Sequence, residues 1–276
     1  MNQTDITNAV NKNKEDWVEG LARLGYAAIG VVYCLMGALA AMAAFGMGGQ
    51  TANQKDVFRF LLRQPMGKVL LGLVAFGLVG YVIWRLVETF KDPRHSDSDD
   101  AKGYGRRAGF AFSALAYGAL AFYAAKIVLG SSSGSDGQSS RQMLVAKALE
   151  LPMGKWLVLL AAAGTICFGL YQVYKGITGK FMKYVEKGNL NSDTRTFIRR
   201  TGLAGYVARG TVFAIIGYLL GRAAMSYNPQ SAGGTESAME FLQSSSIPYL
   251  MGVVALGLLC YGLFMFVRAR YQRFAM

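Results

Sequence analysis

Apolar residues in this chain gather into six long runs, at roughly 21–45, 66–90, 105–130, 153–177, 202–225 and 247–268. Each run is long enough to cross a bilayer as a helix, which takes about 20 residues. Between the two runs of each successive pair lies a shorter amphipathic segment. In the first, Asp56 to Arg63 puts Phe58, Leu61 and Leu62 on one helical face and Arg59 and Arg63 elsewhere, as a short helix on the membrane surface requires. Met143 to Leu149 and Ser237 to Leu242 hold the same place in the second and third pairs. Pro65-Met66-Gly67-Lys68 opens the second run and Pro152-Met153-Gly154-Lys155 the fourth, proline being suited to a first helical turn. The sixth run opens on Ser245-Ser246-Ile247-Pro248 instead.

The pattern is one unit written three times. The odd-numbered runs begin Gly25-Tyr26-Ala27-Ala28-Ile29-Gly30, Gly109-Phe110-Ala111-Phe112-Ser113-Ala114 and Gly205-Tyr206-Val207-Ala208-Arg209-Gly210, at offsets of 84 and 96 residues. In the even-numbered runs Gly77, Gly164 and Gly257 recur at offsets of 87 and 93. The units divide as 17–95, 96–183 and 184–276, after a polar tail at 1–16 that is expected to be mobile or to lie at the interface. Two spans per unit bring every unit into the membrane in the same sense. The expected fold is therefore an all-α, six-span transmembrane bundle of three tandem helix pairs, in parallel orientation about a pseudo-three-fold axis along the membrane normal.

Composition agrees. Of 276 residues 53% are hydrophobic and only 16% charged, where a soluble domain averages about 25% charged. The 34 glycines fall mostly inside the runs, where small residues let helices in lipid approach closely. A net charge of +13 raises nucleic acid as a partner, but the basic residues flank apolar spans, which is the signature of membrane topology. Lysine and arginine are about twice as frequent in the tail and connections at 12–23, 91–107, 175–200 and 268–273 as in those at 55–68, 126–155 and 222. This places both termini on the cytoplasmic side of the membrane. No signal peptide is visible ahead of the first span. Cys34, Cys167 and Cys260 lie inside apolar runs without metal spacing and read as small buried hydrophobes.

The motif Gly205-Tyr206-Val207-Ala208-Arg209-Gly210, with Ala255-Leu256-Gly257-Leu258-Leu259-Cys260-Tyr261-Gly262 in the following span, resembles the bacterial membrane family called domain of unknown function 1206. The likeness covers residues 20 to 270 and all three pairs. The first unit has Ile29 and the second Ser113 where the motif arginine stands. The resemblance implies a six-span, three-fold repeated inner-membrane protein and no particular activity.

Two stripes carry the candidate residues. On the odd spans Tyr26, Gly30, Tyr33, Gly37, then Phe110, Ala114, Tyr117, Ala121, then Tyr206, Gly210, Phe213, Gly217 fall on one helical face, as steps of four, three and four require. The even spans carry Gly77, Tyr81, Trp84, Glu88; Gly164, Phe168, Tyr171, Lys175; and Gly257, Tyr261, Phe264, Arg268. Alternating aromatic and small residues predict helix–helix packing. The fourth even position is ionisable in every unit, and two readings stand. Glu88, Lys175 and Arg268 are separate charges snorkelling to the interface, or they converge as an intramembrane cluster. Arg85 has Gln172 and Met265 as counterparts, and a local pair with Glu88 explains it. Arg209 either snorkels or finds a partner inside the bundle, Glu88 being the carboxylate at similar depth. Lys126 and Arg222 share one repeat position, filled by Met42 in the first unit, and mark the outer interface.

Enzyme signals are poor. His95, the one histidine, sits in a charged loop with Asp97, Asp99 and Asp100, and cannot by itself build a zinc site. No catalytic, cofactor or metal residues are assigned. The expected function is non-catalytic, working through helix packing, homo-oligomerisation or contact with membrane lipids or a partner, with no nucleic acid. The alternative is a small-solute or ion transporter or channel along the pseudo-three-fold axis, its substrate unknown from sequence. A polar cavity at the bilayer midplane would favour transport, and a dry, aromatic-filled centre would favour a structural role.

Overall fold

The computed structural model describes residues 3–49, 53–91, 101–130, 137–185, 191–245 and 249–272. Its described residues form α1 (Gln3–Ala44), α2 (Gln54–Leu62), α3 (Gly67–Lys91), α4 (Ala101–Val128), α5 (Gly137–Leu149), α6 (Gly154–Ile177), α7 (Ser192–Met225), α8 (Thr235–Gln243) and α9 (Leu250–Tyr271). Short 3-10 turns lie at Lys180–Tyr184 and Pro229–Ser231, and a single antiparallel bridge joins Val185 to Gln272. Six helices, α1, α3, α4, α6, α7 and α9, are long and apolar enough to span a membrane. The short helices α2, α5 and α8 fall where the amphipathic segments predict them.

α1 is continuous from Gln3 into the first span, so the helix runs through the polar segment ahead of it. No proline or glycine breaks residues 3–19, so the helix has no reason to stop short of the membrane. The sixth span also keeps the opening that its sequence seemed to lose. Met66 and Met153, each following a proline, take left-handed conformations (φ 59° and 67°), and Tyr249, following Pro248, does the same (φ 68°). After the first two of these turns the chain needs glycine. A Cβ on Gly67 would lie 2.3 Å from the Leu62 carbonyl, and one on Gly154 1.8 Å from that of Ala148.

Packing follows the small residues. α1 lies against both α3 and α9, α3 against α4, α6 against α7, and α7 against α9. Gly30 and Gly37 of α1 press on α9 at Gly262 and Leu259; Gly210 and Gly217 of α7 press on α6 at Gly169 and Ile166. Ala114 and Ala121 hold the equivalent places on α4 and are buried. The two spans of the middle unit, α4 and α6, do not pack along each other. Gly25 and Gly77 bury against Tyr81 and Ala28 inside the first unit, and Gly205 and Gly257 against Tyr261 and Ala208 inside the third. Their counterparts Gly109 and Gly164 face open space. Only 17% of the third span and 22% of the fourth are buried within the bundle, against 39–56% for the others.

Candidate intramembrane cation site

Three edge-to-face ring pairs join the units. Tyr81 of α3 meets Tyr117 of α4 (centroids 4.8 Å, 69°), Phe168 of α6 meets Phe213 of α7 (5.0 Å, 87°), and Tyr261 of α9 meets Tyr33 of α1 (4.8 Å, 68°). In each case the fourth residue after an even-span glycine contacts the eighth after an odd-span glycine. Edge-to-face geometry sets the positive ring edge on the negative ring face, and such a pair contributes about 0.5–1.5 kcal/mol beyond the area it buries. Inside the first and third units Tyr26 also meets Tyr81 (5.3 Å) and Tyr206 meets Tyr261 (5.5 Å).

Cations sit over the outer rings of the same interfaces. Arg268 lies 4.3 Å above the Tyr26 ring and donates to its hydroxyl at 2.9 Å, while its Nε donates to Gln272 Oε1 at 2.8 Å. Lys175 lies 5.1 Å over Tyr206. At the interface between the first two units Glu88 holds the repeat position, and the cation is Arg85, 5.3 Å over Phe110. Arg85 donates to Glu88 at 2.7 Å and to the Tyr81 hydroxyl at 2.7 Å. The local Arg85–Glu88 pair expected from sequence is therefore present. Glu88 and Arg268 are 4% and 6% exposed, packed against protein, while Lys175 is half-buried. Paired charges and cation–ring contacts are what a buried cation in lipid requires.

Of the two readings the sequence left for Arg209, the contacts agree with a partner inside the bundle, but that partner is a set of rings and not Glu88. The guanidinium donates through Nη1 to the Tyr261 hydroxyl and lies 4.8 Å over the Tyr261 ring, 5.3 Å over Phe213 and 5.6 Å over Tyr33. The Arg85 guanidinium takes up Glu88 first, because it starts one turn away on the same helix. Tyr117 and Tyr81 are further electrostatic neighbours of Arg209. No carboxylate contacts Arg209, and its Nε is buried without a hydrogen-bond partner among the described residues. Gln172, the counterpart of Arg85, was not singled out as a site residue: it is 4% exposed on α6. It lies between Gly169 and Gly176, both of which press on α7. An amide amid apolar residues on a packed face is the signal that could have found it.

The remaining stripe residues divide by unit. Trp84 and Phe264 are fully buried, but Tyr171 and Phe168 of the middle unit are exposed, because the face they share with Gly164 has no α4 against it. Lys126 and Arg222 stand in the last turns of α4 and α7, where a cation is favoured by the helix C-terminus. On the Lys55 side of the bundle Asn53 caps α2 and donates to Glu236 of the α8 segment at 3.0 Å. On the opposite side Phe181 is buried against Tyr206 and Phe264 (centroids 5.3 and 5.1 Å). There Arg23 of α1 donates to the last carbonyls of α9, those of Ala269 and Arg270, at 2.8 and 2.7 Å. His95 and Asp97 to Asp100 lie outside the described residues. No group of three metal-ligating side chains occurs among the described residues.

These features define a helical membrane protein of six candidate spans in three tandem two-helix repeats, with aromatic rings and cations at its centre. The family model "Domain of Unknown Function (DUF1206)" matches residues 24–92, 108–179 and 204–272, and the chain belongs to that family. The chain is 35% identical over 265 residues to the "Uncharacterized protein YxxB" of Bacillus subtilis (strain 168), covering 95% of this chain and 94% of that one. No solved structure matches it.

Proposed function

We propose that this is a non-catalytic protein of the bacterial inner membrane that works through contact with lipid or a partner chain, and that it does not conduct. Its three repeats enter the membrane in one sense about a pseudo-three-fold axis, with both termini in the cytoplasm. The recurrence of the same edge-to-face pair at all three junctions between units supports that symmetry. The excess of lysine and arginine on one side supports the topology. The observation that carries the functional reading is the centre itself. Tyr33, Tyr261 and Phe213 close around Arg209 where a conducting axis would run. A cation held among rings repels cations and leaves no continuous polar path. A single histidine and no nucleophile motif support the non-catalytic part.

The test is flux through purified full-length protein in sealed liposomes, with potassium, proton and chloride dyes. Leakage no greater than in empty liposomes is expected. Protein-dependent flux that disappears on Arg209→Gln would establish the transport alternative. Reporter fusions at each terminus check the topology, and a reporter active on the periplasmic side at either end would overturn it.

A further inference from the structure

α1 and α3 run antiparallel, and their glycine contacts fix the register. Gly77 closes on Leu24 and Ala28, and Gly80 closes on Leu21. Carried one turn further, that register sets Trp17 and Asp16 level with the last turns of α3, at the end proposed to face the cytoplasm. Along this helix pair runs a groove of about 490 Å³, lined by Asp16, Trp17, Gly20, Leu21 and Leu24 of α1 and by Phe76 of α3. Gly20 leaves its floor open, with nothing within 4 Å of where a side chain would start.

The two ends of the groove differ chemically. One end is apolar, with Leu24 and Phe76 both exposed on the surface of the bundle. The other end carries a carboxylate and an indole. From Asp16 to Leu24 the helix rises about 12 Å at 1.5 Å per residue, close to half of a hydrocarbon core about 30 Å thick. Polarity and depth therefore run as they do in a lipid of the cytoplasmic leaflet, with the head at Asp16 and a chain reaching Phe76 near the midplane.

The head end selects charge. Asp16 is exposed and has neither a hydrogen bond nor an ion pair with any described residue. The nearby cation of α1, Arg23, is engaged elsewhere, by Glu19 and by the last carbonyls of α9. Trp17, beside Asp16, is 70% exposed. A carboxylate next to an indole face attracts an organic ammonium through charge and through the ring. The same carboxylate disfavours a lipid head that carries only a phosphate.

We propose that the α1–α3 groove binds one phosphatidylethanolamine molecule of the cytoplasmic leaflet, its ammonium between Asp16 and Trp17 and one acyl chain along Gly20, Leu24 and Phe76. This rests on the reading of a protein that works through lipid contact, and gives that contact a place and a headgroup.

The experiment uses the full chain in nanodiscs of phosphatidylglycerol with a minor fraction of phosphatidylethanolamine, followed by mass spectrometry of the protein with its retained lipid. Wild type is expected to retain phosphatidylethanolamine in excess of its share in the disc. Asp16→Asn is expected to lower that enrichment roughly twofold to fivefold, the range of one exposed ion pair. Trp17→Leu, which keeps an apolar side chain, should lower it by a similar factor. Gly20→Leu, whose Cβ meets no protein atom, fills the floor and should abolish the enrichment while Asp16 stays in place. Glu240→Gln, an exposed acid on α8, should leave it unchanged. Enrichment equal in wild type, Asp16→Asn and Gly20→Leu overturns the site. Retention that Gly20→Leu removes but that ignores the headgroup and Asp16→Asn overturns the ammonium assignment. A dimer that Gly20→Leu dissociates, with no lipid retained, assigns the groove to a second copy and also overturns it. Ion flux in the liposome test would remove the non-conducting reading and leave lipid retention to be read independently.

Discussion

Gly25 packs directly on the backbone of Tyr81, so closely that a Cβ there would lie 2.6 Å from the Tyr81 nitrogen. Gly205 repeats the contact on Tyr261 at 2.5–2.7 Å, and Gly109 does not, facing open space. Valine at Gly25 or Gly205 must therefore push two helices apart, costing about 1–3 kcal/mol, while Gly109→Val costs far less. Thermal unfolding in one detergent compares the three variants. Equal losses at all three positions would contradict the open middle unit.

Glu88 is buried beside Arg85. Glu88→Gln leaves that guanidinium without its carboxylate and should cost about 3–5 kcal/mol, as breaking a buried pair does. Adding Arg85→Gln should recover part of the loss. A double-mutant cycle on unfolding free energy measures the coupling, and a coupling near zero would mean the pair is incidental.

Asn53 closes a capping box with Asp56 and also reaches Glu236, nearly two units away along the chain. Asn53→Ala should lose the cap, about 1 kcal/mol. Glu236→Gln, which keeps an oxygen for the same contact, should lose less. The same unfolding measurement ranks the two, and the reverse order would mean that the contact to Glu236 outweighs the cap.

Phe181 fills a slot floored by Gly202, where a Cβ would lie 2.3 Å from the ring. Phe181→Ala should cost about 3–5 kcal/mol, the usual loss for a buried phenylalanine. A substitution with no measurable effect on unfolding would show that the connection between α6 and α7 does not seal that end.

Much of this was legible in advance. The six spans, the three short helices and the three-unit repeat follow from periodicity and self-similarity, because both are local properties of the chain. The Arg85–Glu88 pair was legible for the same reason, being one helical turn long. What the sequence could not display is which neighbour fills a given notch. Gly109 and Gly164 sit in the same local pattern as Gly25 and Gly77, yet their faces are empty, because α4 is held by α3 and α6 by α7. The identity of the partner of Arg209 was hidden for a related reason. Depth suggested Glu88, but a guanidinium goes to the acceptors and ring faces already packed around it, here Tyr261, Phe213 and Tyr33.

The unclosed middle hairpin has a consequence for how the chain is made. As it leaves the ribosome, α4 finds α3 already waiting in the bilayer, but α6 emerges before the helix it docks on, α7, has been synthesised. The fourth span therefore gains its packed partner only with the fifth, and the middle unit does not close as a hairpin of its own.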